Sequence, residues 1–159
     1  MGIPSVWLWQ PDKLEKSRFR SIFFMRSGLR HRTYGTPIEE WIAMVPNELP
    51  IDAVGLWQIM AAGRGGFELS GTELVEFVRL VLLALFEKGA KPVTGATDGI
   101  HVWSLVPYGE TPSEMADAII REWMASGREP DHGAVWFAIP EIYESKRLTT
   151  ENRPLPKLN

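Results

Sequence analysis

From Ser70 to Lys88 the chain carries apolar residues at Leu74, Phe77, Val78, Val81, Leu82, Leu85 and Phe86. That helical spacing is so dense that the predicted helix must be buried on most sides. Ser70 with Glu73 reads as its capping box and Gly89 as its stop. A second helix is predicted over 112–126, with Met115, Ile119, Ile120 and Trp123 inward, Thr111 and Glu114 as the box, and Gly127 just past the end. The same Thr-Pro-x-Glu start recurs at Thr36 to Glu39 and predicts a short helix from Pro37 to about Val45, stopped ahead of Pro46 and Pro50. Residues 12–27 predict one more, with Leu14, Phe19, Ile22 and Phe23 inward and a basic outer face.

Strand signals lie between these helices. "KPVTG" (91–95) and "IHVWSLV" (100–106) flank the turn-rich "ATDG" and predict a hairpin, and the run at 134–139 predicts a last strand. Residues 51–62 read two ways: Asp52 and Gly63 bracket a helix, while Val54, Leu56, Trp57 and Ile59 suit a buried strand. An internal echo favours the strand. "YGTPIEEW" (34–41) and "YGETPSEMADAIIREW" (108–123) are each followed by a proline-and-aspartate turn and an apolar run, centred on Trp57 and on Trp136, as a short α–β duplication would be. From residue 53 the order is then strand, helix, strand, strand, helix, strand. This is the split βαβ order and resembles ferredoxin-like domains, a likeness of topology that names no family. One α+β domain over 1–159 is expected, with a core at 53–140, a helical extension at 1–50 and a frayed polar tail at 148–159.

Alternation along strands assigns faces. Gly55, Trp57 and Ile59, then His101, Trp103 and Leu105, then Ala134, Trp136 and Ala138 fall on one side of the sheet. The compact residues Val54, Leu56, Met60, Val102, Ser104, Val106, Val135, Phe137 and Ile139 fall on the other, under the helices. A face with three indoles is too apolar to stand open. The cover expected first is the amino-terminal extension, through Phe19, Ile22, Phe23, Ile38, Trp41 and Ile42. Self-association as a homodimer, or a flat ligand on Trp57, Trp103 and Trp136 with His101 beside it, are the alternatives.

Composition narrows the function. With 45% hydrophobic and 23% charged residues the chain is ordinary for a globular domain, neither disordered nor fibrous. The absence of cysteine excludes disulfides and thiolate metal sites and points to a reducing compartment, the cytoplasm. The longest apolar run, 74–86, is too short to span a bilayer and is broken by Glu76 and Arg79, so no membrane role is expected. The net charge of −3 hides an asymmetry: Lys13, Lys16, Arg18, Arg20, Arg26, Arg30 and Arg32 oppose Asp12 and Glu15, a basic arm of +5 against −8 elsewhere. That arm is expected to dock on the protein's own acidic body, and the body's charge argues against nucleic acid as partner.

His31, His101 and His132 lie far apart, no HExxH or GxSxG occurs, and "GRGG" (63–66) lacks Walker spacing and reads as a flexible connection. No metal, cofactor or catalytic residue is indicated. The expected function is an interaction protein that meets another protein through an acidic surface, as a regulatory or toxin-neutralising partner would. The alternative is a ligand-binding or enzymatic ferredoxin-like dimer with a pocket against the tryptophan face.

Overall fold

A computed structural model describes residue 26 and residues 28–144. The predicted helix at 12–27, with Phe19, Ile22 and Phe23, and the tail at 148–159 therefore lie outside the described residues, Arg26 apart. In chain order the elements are α1 (Ile38–Met44) with a 3-10 turn (Val45–Glu48), β1 (Val54–Gly55), α2 (Leu56–Ala61) running into a π-turn (Ala62–Gly66), α3 (Gly71–Glu87), β2 (Lys91–Gly95), β3 (Trp103–Leu105), α4 (Pro112–Ser126) and β4 (Trp136–Ala138). Residues 140–144 are also helical. Among the described residues no helix is long and apolar enough to cross a membrane.

The core is built on α3, as its apolar density requires. Phe77, Val78, Val81, Leu82 and Leu85 are all 0% exposed, and α1 and α4 pack against them. Phe86 reaches the sheet, its ring meeting Phe137 edge-on at 5.7 Å. On α4 the capping box forms as read: Glu114 N–H donates to Thr111 Oγ1 at 3.2 Å, and Thr111 N–H donates back to Glu114 Oε2 at 3.1 Å. Gly127 ends that helix with φ +63°, the left-handed turn that glycine adopts without strain.

The other two boxes do not form. Ser70 makes no side-chain cap, and the Glu73 carboxylate, which would close the box, accepts from Arg26 Nε at 3.1 Å. Thr36 precedes a helix that begins only at Ile38, and its carbonyl accepts from His31 N–H at 2.8 Å, closing a loop in which Arg30 and Pro37 form a β-bridge.

All strand pairings are antiparallel, in the order β1-β4-β2-β3. The domain is mixed α and β, but the expected ferredoxin-like sheet is not found. β1 is a two-residue edge strand, and β4 takes the interior place between β1 and β2. β1 is this short because residues 56–61 are helical. Leu56, Ile59 and Met60 are buried together, and a helix puts positions i, i+3 and i+4 on one face where a strand would split them. Gln58 Oε1 accepts from Gly55 N–H at 2.7 Å and fixes the helix start. The strand expected around Trp57 is therefore α2, and Ile59 belongs to the main core rather than to the tryptophan side. "GRGG" is likewise no flexible connection: Gly63 and Gly66 are buried in the π-turn, and a Cβ on Gly63 would come within 2.7 Å of Leu74 and 2.9 Å of Phe77.

Pro92 shows how the hairpin ends. Its carbonyl accepts from Val106 N–H, but proline returns no N–H, and the Val106 carbonyl accepts from Tyr108 N–H at 3.0 Å instead. That turn carries the chain off the sheet toward α4.

Candidate functional site

The sheet has two faces, and alternation assigned most strand residues to the right one. Val54 and Phe137 join the main core under the helices. Ala53, Val93 and Ala138 form a second cluster on the opposite face, with Trp103, Trp136 and Tyr143 packed on it. Trp57 reaches the same face from the first turn of α2. Its ring lies over Gly55, where a Cβ would come within 2.6 Å of Nε1 and 3.3 Å of Trp136 Cε3.

The result is a continuous row of rings. Centroid separations run His132 to Trp57 4.1 Å, Trp57 to Trp136 6.3 Å, Trp136 to Trp103 5.9 Å, and Trp103 to Tyr143 5.8 Å. The three tryptophans are half-buried. Trp136 Nε1 donates to the His132 carbonyl at 3.0 Å. Trp57 Nε1 and Trp103 Nε1 are buried with no hydrogen-bond partner.

Of the expected cover, the described residues Ile38, Trp41 and Ile42 do not reach this face. Ile38 and Trp41 of α1 lie on the helical side, with Trp41 against Phe67 and Phe77 at 5.9 and 5.5 Å. The ring laid against Trp103 is Tyr143, from a segment beyond the last predicted strand to which the sequence pattern assigned no element. The helical turn that carries Tyr143 opens with Pro140 at its first position and Glu141 behind it, a start signal present in the sequence, as the i, i+3, i+4 pattern of α2 also is.

Carboxylates rim the row. Asp52 lies 3.5 Å from the Tyr143 hydroxyl, and Asp131 Oδ1 accepts from Gly133 N–H beside His132. Burial first, and Asp52 second, raise the Tyr143 phenol above its ordinary pKa. His101 is exposed and precedes β3: its Nδ1 pairs with Asp98 at 2.6 Å, and its Nε2 lies 3.8 Å from Glu144. The His101 ring, and then the backbone N–H groups of His101 and Ile100, hold the Asp98 carboxyl far below the usual carboxylate range. Lys91 stands at the far end of this face, opposite Ala138.

Of the basic arm, Arg26 pairs with Glu73 at 3.1 Å, Arg32 with Glu68 at 3.7 Å, and Arg30 donates to the Gly35 carbonyl. These described members lie against the protein's own body. Lys13, Lys16, Arg18 and Arg20 lie outside the described residues.

A cleft of about 490 Å³ is lined by Leu56, Tyr108, Ile119, Glu122, Trp123 and Arg128, among others. Burial first, then the neighbouring Glu122, raises the Tyr108 phenol well above its ordinary pKa, so this hydroxyl stays protonated. Among the described residues no group of three or more His, Asp or Glu is placed to hold a metal ion. Comparison of the chain with protein-family models, with curated proteins and with solved structures returned no match.

Proposed function

We propose that this is a binding protein that engages another polypeptide across the row from Trp57 through Trp136 and Trp103 to Tyr143. The partner segment it suits is basic and partly apolar. The observation that carries the reading is the pairing of half-exposed indoles with carboxylates at the ends of the row: Asp52 at the Tyr143 hydroxyl, Glu144 next to Tyr143 in the chain, and Asp131 beside His132. Guanidinium groups stack on indole faces, with cation–π attraction of about 0.5–2 kcal/mol, and meet carboxylates at the same time. Charge agrees in sign. Across residues 26 and 28–144, nine Lys and Arg stand against seventeen Asp and Glu, a net of −8. Such a field steers a cationic partner toward the face and makes the association salt-dependent. A regulatory or toxin-neutralising protein that masks a basic surface fits this description.

Titration with an oligo-arginine peptide, followed by tryptophan emission, tests it. Saturable quenching is expected, weaker with oligo-lysine, absent with oligo-glutamate, and diminished by added salt. Asp52→Asn combined with Glu144→Gln should weaken it. An emission spectrum indifferent to oligo-arginine, or a titration unchanged by those two substitutions, would sink the reading.

A further inference from the structure

β3 is the longer of the two edge strands, and among the described residues no strand pairs with its outer side. Thr94 and Ser104 lie opposite one another, as do Val93 and Leu105, and Gly95 and Trp103. The bonds from Ala96 N–H to the Val102 carbonyl and from Val106 N–H to the Pro92 carbonyl identify which positions bond across this ladder. Bonded and non-bonded pairs alternate in an antiparallel ladder, so the backbone N–H and C=O groups of Trp103 and Leu105 point outward. Among the described residues nothing pairs with them. The side chains along this edge are apolar and open: Leu105 is 67% exposed, Ile100 58% and Val102 46%. Sheet edges are ordinarily guarded by charge, proline or a covering segment. Residues 102–106 contain neither charge nor proline.

We propose that a second copy of this chain adds to β3, antiparallel, about a two-fold axis through Ser104. The register follows from what the edge offers. With Trp103 opposite the partner's Leu105 and Leu105 opposite the partner's Trp103, each pair exchanges both of its bonds, and no group already engaged is needed. A register centred on Trp103 would require the His101 N–H, which donates to Asp98 Oδ1 at 2.8 Å. One centred on Leu105 would set Pro107, which has no N–H, opposite Trp103. The paired segment is uncharged, so apposing two copies brings no like charges together. Trp103 and Leu105, two residues apart, share the face of Trp136, so the partner's Leu105 lies beside Trp103. Two four-stranded sheets then become one, and their aromatic rows form a single floor. This pairing stands independently of what that floor binds.

The cysteine-free chain supplies its own test, because Ser104→Cys introduces a lone thiol. In the proposed register Ser104 faces the partner's Ser104 as a non-bonded pair with Cα atoms about 4.5 Å apart, within the span of a disulfide. Under mild oxidation the full-length Ser104→Cys protein should form a covalent dimer at least about tenfold faster than Thr94→Cys, which is also exposed but one strand inward. Adding Leu105→Lys to Ser104→Cys should abolish that advantage. In sedimentation, the unmodified protein should show a monomer–dimer equilibrium that Leu105→Lys shifts to monomer. Equal crosslinking rates for the two cysteine variants overturn the proposal, as does an equilibrium that Leu105→Lys leaves unmoved.

Discussion

Gly55 carries no side chain, and two indoles use the space. Its φ of −86° is open to any residue, so the backbone does not require glycine; the contact does. A methyl there would meet Trp57 at 2.6 Å and Trp136 at 3.3 Å, so Gly55→Ala must displace a ring on the candidate binding face. We predict a loss of about 1–3 kcal/mol, the usual cost of overpacking, together with a shifted tryptophan emission in the native state. Gly95, on the next strand but one, has nothing within 4 Å of its would-be Cβ. Gly95→Ala should be neutral or should stabilise by up to about 1 kcal/mol through the unfolded chain, and leave emission unchanged. Urea titrations of both variants, read by circular dichroism and by fluorescence, check the contrast.

At the scale of elements the two Thr-Pro starts separate cleanly. Thr111→Ala removes a formed cap and should cost about 0.5–2 kcal/mol, whereas Thr36→Ala removes a side chain that caps nothing and should cost less than about 0.5 kcal/mol. Comparable midpoint shifts in the two variants would contradict the structure. The turn into β3 offers a pH test. Because the folded Asp98 value lies below its ordinary 3.8, the stabilisation is fully present above that value and is lost as pH falls through the lower folded one. The stability gap between wild type and Asp98→Asn measured at pH 5 should therefore persist to about pH 4 and close only under more acid conditions.

Sequence patterns made α3, α4 and the β2–β3 hairpin legible because each holds a strong period and its own stop signals. They also placed Trp103 and Trp136 on a shared face, since alternation is a local rule. They missed α2, where a short apolar run satisfied both periods, and they missed the strand order and Tyr143, which depend on contacts between distant segments.

At the scale of the whole molecule, the described residues form two apolar clusters separated by the sheet, and this makes stability and surface separable. Leu82 is 0% exposed in the middle of α3, on the helical side, while Ala53, Val93 and Ala138 form the small cluster beneath the indoles. Leu82→Ala opens a cavity among close-packed neighbours that can collapse only in part, and should cost about 2–5 kcal/mol. Typical domains hold about 5–15 kcal/mol in all, so the variant should be folded but visibly weakened. Its native tryptophan emission and its oligo-arginine titration should match wild type below the unfolding transition, because no contact of Leu82 need pass through the sheet. Its urea midpoint should fall with the slope unchanged, since the surface exposed on unfolding is nearly the same. A midpoint at the wild-type value would remove α3 from the centre of the core. A lowered midpoint with altered native emission would show instead that the two clusters respond as one, and that the aromatic face depends on packing beyond the sheet.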